Sequence, residues 1–398
     1  MFDALFTTTT EYKKLSHALS GKGACALFGL PASGRAQVYA ALCRQLDKPL
    51  CIVTPGEAEA TRFAADLNTL GIPAAVFPAR DYVLRPIEGT AREYEYRRLA
   101  VLGELVGGRL RAVAVPAEAL TQFTTPKEDF CANTRTLHAG DTLLRDDLLA
   151  ALFGAGYTRR AQVDGPGQFS VRGDIVDIFA PDQKMPVRME FWGDEIDTLH
   201  TFDLTTQRRE DAIDKFYLSP AREVLFGKPA DAAEQLRAFL AKQRGKKKTA
   251  MADCMAADLD LLDGGAVPVN MDKYLAVRYP HPATVLDYFD DPILVAEEPA
   301  SIREADRATA YRRGEELKSL ILDGVLCAGL DNLYADPSYL WSKTGHYRTI
   351  CAENFARSMP DQPLKDIINT PAHTLPAWNG EVAGLLEDLK PLCDAGYT

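Results

Sequence analysis

No apolar stretch of the 398-residue sequence approaches the length that crosses a bilayer, and Met1–Tyr12 lack the basic-then-apolar design of a secretory signal. No membrane partner is therefore expected, and the expected location is the cytoplasm. The eight cysteines (Cys25, Cys43, Cys51, Cys131, Cys254, Cys327, Cys351, Cys393) include no Cys-x-x-Cys pair, and the six histidines are dispersed, so no zinc spacing exists. Several of these cysteines fall inside apolar runs, where the thiol behaves as a small hydrophobe. A Ser-His-Asp set, a supported pair of catalytic carboxylates, an internal repeat and a low-complexity tract are all missing. Positive charge is scarce: the formal net charge is −11, so the average surface repels nucleic acid. What is present, 46 % apolar and 25 % charged residues, describes a globular chain long enough for two to four domains.

The most informative absence lies within a motif. Gly29-Leu30-Pro31-Ala32-Ser33-Gly34-Arg35-Ala36 has the frame of a phosphate-binding loop, in which Gly, four residues and Gly precede Lys and a hydroxyl residue. Here Arg35 replaces the Lys, and Ala36 has no oxygen to offer Mg²⁺. Arg keeps the charge but is a bulky planar fork rather than a compact point charge. A short apolar strand (Ala24 to Phe28) and an amphipathic helix (Ala36 to Leu46) flank the loop. That context fits a decayed nucleotide loop; the alternative is an ordinary Gly-containing strand-to-helix turn. The usual second element is an apolar strand ending in Asp-Glu. Ile293-Leu294-Val295-Ala296-Glu297-Glu298 has that form with Glu297 in the Asp place, which reads as a drifted metal site or as a purely structural acidic pair. No catalytic residue and no metal ligand is expected.

Apolar runs and helical periodicity alternate over the first 125 or so residues: strands at Leu50–Thr54, Ala74–Phe77 and Arg111–Pro116, helices at Gly56–Leu70 and Ala91–Val106. Continuous apolar strands joined by helices predict a parallel sheet covered on both faces. Near Lys127 the pattern changes to a helix (Leu143–Phe153) and then an antiparallel β region (Tyr157–Phe202). Within it Phe169, Val171, Ile175 and Phe179 are expected on one side. Val187, Met189 and Phe191 share one strand face, and Arg188, Glu190 and Trp192 the other. From about Ser219 the α/β character returns, with a helix over Asp231–Gln243, the strand Ile293–Ala296 and a long helix over Ile302–Leu322. After Arg348 prolines punctuate the chain (Pro360, Pro363, Pro371, Pro376), and Pro391 is expected to end a helix over Glu381–Lys390.

Three surface features compete as sites. Arg188 and Trp192, with Arg172 on a neighbouring strand, form a polar-face Arg/Arg/Trp patch; Arg and Trp are enriched at interface hot spots, although a Trp can simply cover a strand edge. Arg92 to Arg98 interleaves basic and aromatic residues, which suits stacking on single-stranded DNA but fits the flank of an amphipathic helix better. Lys242 to Lys248 is a solvated loop or helix end, or a local phosphate or acidic-partner contact.

Ordered blocks then carry a resemblance. Gly165-Pro166-Gly167-Gln168-Phe169-Ser170-Val171-Arg172-Gly173-Asp174-Ile175-Val176-Asp177-Ile178-Phe179, Pro186 to Ile196, Thr201 to Arg208, Asp287-Tyr288-Phe289 and Ile293 to Ala305 resemble a stretch shared by two families of bacterial excision-repair proteins, UvrB and the transcription-repair coupling factors (the Mfd family). The match spans most of residues 20 to 350. UvrB has an intact phosphate loop and a long Tyr-rich hairpin; Arg35 and Ala36 break the first, and Phe77 to Arg98 is too short for the second. The resemblance therefore favours the amino-terminal module of the coupling factors, with Asn379 to Tyr397 opening a further domain.

That resemblance implies a fold: a degenerate RecA-like α/β domain in two segments (1–126 and 219–348), interrupted by an α+β insert that binds UvrA (127–218), with the start of a small domain at 349–398. It also implies a role, recruiting the repair protein UvrA to stalled RNA polymerase, with docking positions at Arg172, Arg188 and Trp192. The third is usually Phe in this family, so Trp192 enlarges an aromatic anchor. ATP and Mg²⁺, polymerase displacement and translocation on double-stranded DNA would belong to a motor outside this sequence, and this part would hold no cofactor. The alternative is an active UvrB-like ATPase or helicase acting on damaged DNA.

Overall fold

The computed structural model describes residues 7–87, 92–355, 363–370 and 381–395. Fifteen strands lie within those residues: β1 (Gly23–Phe28), β2 (Leu50–Thr54), β3 (Ala74–Val76), β4 (Ala112–Pro116), β5 (Arg135–His138), β6 (Thr158–Arg159), β7 (Gln168–Arg172), β8 (Ile175–Phe179), β9 (Val187–Trp192), β10 (Glu195–Phe202), β11 (Arg209–Ala212), β12 (Lys215–Leu218), β13 (Ile293–Glu297), β14 (Arg348–Glu353) and β15 (Leu364–Asn369).

Seven strands form one sheet in the order β15-β1-β14-β13-β2-β4-β3, parallel at every pairing. The central strands are buried end to end because both faces are covered, which is why they read as unbroken apolar runs. On one face Leu15, Tyr39, Leu42, Phe63 and Leu67 pack against Ile52 and Val295. On the other, Leu99, Leu102, Phe130 and Leu286 pack against Val53 and Leu294. The mixed α/β architecture expected from the sequence is thus present, a large parallel sheet with a separate β module inserted in the chain.

That module is a six-stranded sheet, β11-β10-β9-β8-β7-β6, antiparallel except for the short β6–β7 pairing. The helix Arg145–Gly154 drops Leu148 and Leu152 onto it, and Phe169, Val176, Ile178, Met189 and Leu199 complete the core. One expectation fails here. Arg172 pairs with Ile175 across a tight turn at Gly173 (φ 61°) and Asp174, so parity flips through the turn. Val176 and Ile178 share the core face with Phe169, while Ile175 and Phe179 lie on the opposite face. Phe179 is buried there instead, with Val163 and Phe202.

Two further readings change. The boundary expected at 348/349 does not coincide with a break in the sheet: β14 and β15 both flank β1, so these two strands belong to the large sheet. Between residues 224 and 292 the chain builds a helical unit, in which the helix expected over Asp231–Gln243 is found as Pro229–Ala241. Its helices Pro229–Ala241 and Gly245–Asp263 pack through Leu236, Met251 and Met255 against Tyr82, Leu84, Leu326 and Leu333. Lys246, Lys247 and Lys248 occupy the exposed first turn of the second helix. Last, the terminal helix Val382–Asp394 carries Pro391 inside it rather than ending there. The expected prolines at 360, 371 and 376, the residues at 379–380 and 396–397, and the start of the helix read from Ala91 lie outside the described residues; that helix is described as Glu93–Val106.

Candidate protein-docking site and a closed phosphate loop

Strand alternation builds the candidate docking face. Val187, Met189 and Phe191 of β9 point into the module core, and Arg188, Glu190 and Trp192 point away from it. Asp177 on β8 stands directly opposite Arg188, with its side chain fully buried. A buried carboxylate needs donors, and it has them from two sides. Arg188 donates Nε and Nη2 to its two oxygens at 2.7 and 3.0 Å, and Arg172 donates Nη2 at 2.5 Å. These hydrogen bonds to Asp177 raise the Arg188 pKa above its ordinary value. Arg188 also donates Nη1 to the Gln207 carbonyl at 3.1 Å and lies 4.8 Å from the centroid of the Phe202 ring.

Arg188 is thereby fixed, with its side chain only 12 % exposed, whereas Arg172 keeps 47 % of its side chain in solvent. Trp192, four residues along the strand from Arg188, is 83 % exposed, an arrangement that leaves nothing for the ring to cover. Glu190 between them is ion-paired with Arg209 and accepts, at 3.4 Å, from Thr198 Oγ1. The three expected positions therefore share one face: a locked guanidinium, a half-exposed guanidinium on the same carboxylate, and a free indole. Asp177, which organises the pair, was not singled out in the sequence. Its signal was available, an acidic residue in the middle of an apolar strand.

The phosphate loop tells a different story. Gly29 adopts φ 91°, and a Cβ there would sit 2.2 Å from the Thr370 carbonyl oxygen, because Thr370, the residue after β15, lies against it. Arg35 is buried in the first turns of the helix Ala32–Leu46 and points across to the end of β13. Its Nη2 meets Glu297 at 2.9 Å, and its Nη1 meets Glu298 at 3.0 Å and the Asn354 side-chain oxygen at 3.3 Å. Tyr39, one turn further along the helix, donates to the other Glu297 oxygen at 2.5 Å. Burial pushes the Glu297 carboxyl up to about 7 despite the adjacent Arg35. Ala36 is fully buried in the core beneath, and Gly34 has ordinary contacts only. The two expected half-sites, Gly29/Gly34/Arg35/Ala36 and Glu297/Glu298, do meet in space, but as a closed ion-pair cluster.

A second buried cluster had no signature in the sequence. Arg98, fully buried, donates Nε to Glu223 at 2.7 Å, and Arg80 donates Nη1 to Asp272 at 2.7 Å and lies 3.2 Å from Glu223. Burial favours the neutral form of Glu95 nearby, yet Arg80, Arg92 and Arg222 together hold its pKa near 2. This network ties the helix Glu93–Val106 to the helical unit. Arg92 to Arg98 thus serves as a packed helix flank, and Arg98 is withdrawn from any surface.

With this geometry in hand, the comparisons with known proteins fall into place. Residues 136–224, which contain Arg172, Arg188 and Trp192, match the family described as the UvrB interaction domain. The transcription-repair-coupling factor of Bacillus subtilis (strain 168) is 24 % identical over 383 residues, covering 94 % of this chain and 32 % of the relative. That of Myxococcus xanthus is 35 % identical over 208 residues (50 % of this chain, 17 % of the relative). The corresponding protein of Mycobacterium bovis is 34 % identical over 257 residues (62 % and 20 %). The chain spans a third or less of the length of each of these relatives. The segment that matches the UvrB interaction domain is thus set within a longer stretch that is similar, over nearly its whole length, to part of a transcription-repair-coupling factor.

Proposed function

We propose that this protein recruits UvrA during transcription-coupled excision repair, presenting Arg172, Arg188 and Trp192 as the docking surface. The observation that carries the reading is the exposed Trp192 on the same strand face as two guanidiniums organised by a buried carboxylate, inside the segment that matches the UvrB interaction domain. A rigid Arg beside a free aromatic is the composition of a hot spot, where a few preorganised side chains supply most of the affinity. The transcription-repair-coupling role, engagement of RNA polymerase, and ATP- and Mg²⁺-driven translocation on double-stranded DNA would rest with parts of the relatives beyond the matched third. Within this chain the phosphate loop acts as a structural element. Arg35 occupies the space between the loop and Glu297, and no hydroxyl stands where Mg²⁺ would be held, which argues against the UvrB-like ATPase or helicase alternative. Calorimetric titration of purified UvrA tests the proposal: wild-type protein should bind, and Arg188→Ala should lose about 2 kcal/mol or more. Unchanged affinity of a folded Arg188→Ala protein would overturn it.

A further inference from the structure

A cleft of about 1100 Å³ lies apart from the docking face. It opens where the β module, the loop after Ser219 and the helical unit meet. Arg92, Arg159, Arg160, Arg222 and Lys228 line it, against only two acidic residues, Asp164 and Asp272. Asp272 is already consumed by Arg80 in the buried network. Arg159 and Arg160 are exposed, and neither has a side-chain partner among the described residues. Arg92 and Arg222 face the buried Glu95 at 2.8 and 3.8 Å, which leaves Arg159, Arg160 and Lys228 against Asp164, a net positive lining in a chain of net charge −11.

The same cleft has an apolar rim. Ile87, Phe153, Val267 and Val269 are 60, 38, 55 and 39 % exposed around it, although each is large enough to favour burial. Two contacts hold the cleft's shape. Arg92 donates to the Val269 carbonyl at 2.6 Å, and Gly167 lies so close to Tyr96 that a Cβ there would come within 2.8 Å of the ring hydroxyl. The site is therefore a formed groove rather than a loose junction.

We infer that this groove binds an acidic peptide segment that carries large apolar side chains, contributed by a partner protein. Carboxylates would face Arg159, Arg160 and Lys228, and the apolar side chains would cover the rim. Charge complementarity selects an anion, and the rim selects among anions. Three of its four exposed apolar residues are aliphatic, which suits Leu or Phe side chains better than stacked bases, whose platforms are aromatic. The groove lies apart from Arg172, Arg188 and Trp192, so the inference stands independently of the UvrA reading.

The test uses the intact protein and a fluorescein-labelled probe peptide of alternating Glu and Leu residues, followed by anisotropy. The probe should bind, the affinity should fall at least tenfold in the double variant Arg159→Glu/Arg160→Glu, and it should weaken as salt is raised. Val267→Asp should also weaken it, through the apolar half of the contact. Both changes are on exposed residues, and thermal melting confirms that the variants fold. No binding by wild type, equal binding of a Gln/Leu analogue, or indifference to the double charge reversal would overturn the inference. So would preferential binding of a single-stranded oligothymidine that the double variant abolishes, which would make the groove a nucleic-acid site.

Discussion

Trp192→Ala separates binding from folding more cleanly than any other substitution on the proposed docking face. The indole is 83 % exposed, so its removal breaks no internal packing, and the folded protein should keep its stability to within about 0.5 kcal/mol. In a complex the ring becomes a buried anchor. A Trp side chain buries roughly 200 Å². At about 25 cal/mol per Å² that amounts to an upper limit near 5 kcal/mol, before ordering costs are subtracted. A hot-spot loss of about 2–4 kcal/mol, or roughly 30- to 1000-fold in Kd, is the expected outcome. Titration calorimetry against UvrA reads the affinity, and a thermal melt of the free protein reads the stability. Trp192→Phe, the smaller aromatic usual in the family it resembles, should retain most of the binding. Refutation would be a folded Trp192→Ala protein whose affinity changes by less than about threefold, since an exposed anchor cannot be both central and dispensable.

Mg²⁺-ATP at millimolar concentration should give no thermal stabilisation, and neither should the restored pair Arg35→Lys/Ala36→Ser, because Thr370 still lies against Gly29; a clear upward shift in melting temperature in either protein would contradict the closed-loop reading. Arg98→Met should destabilise by about 3–5 kcal/mol, since it leaves the fully buried Glu223 short of a partner in the network. Urea unfolding measures this, and a loss under about 1 kcal/mol would mean that Arg80 alone suffices. Burial raises Glu297 to about 7, so the folded state holds a proton that the unfolded chain has released. The associated stability is fully present below the unfolded value of about 4.5 and is lost as pH rises through about 7. Glu297→Gln should therefore gain on wild type, by about 2–3 kcal/mol, between pH 5 and pH 8; melting curves whose difference is flat over that range would refute the assignment.

The sequence made legible whatever is written in local periodicity. Unbroken runs such as Leu50–Thr54 and Ile293–Ala296 announced a covered parallel sheet, and the alternation of Val187 to Trp192 separated a core face from a polar one. Less readable were the consequences of pairing. The parity change at Gly173–Asp174 moved Ile175 and Phe179 across the sheet, because register is set by the turn and not by counting along the chain. Membership of β14 and β15 in the large sheet was hidden for a related reason: a parallel neighbour more than 300 residues away leaves no local mark. Helix Gly245–Asp263 begins with three lysines, an unfavourable first turn that disguised it as a solvated run. The Asp177 pair and the Arg80/Arg98 network depend on contacts between distant segments, so neither could be assembled from spacing alone.

The closed phosphate loop explains why a frame persists after its chemistry has gone. A working loop holds its glycines for the phosphate and its Lys for the charge on it; remove the ligand, and the cation at that position needs another anion. Arg35 finds two, Glu297 and Glu298, and its planar fork can meet both, which a lysine's single ammonium could not do with the same geometry. Tyr39 then satisfies the remaining Glu297 oxygen, and Ala36 fills core space that a hydroxyl would have wasted. Gly29 is still required, now because Thr370 rather than a phosphate lies against it. The helix after β1 and the end of β13, two internal strands of the sheet, are thus joined by side chains. On this side-chain-joined sheet the β module and its exposed Trp192 are carried.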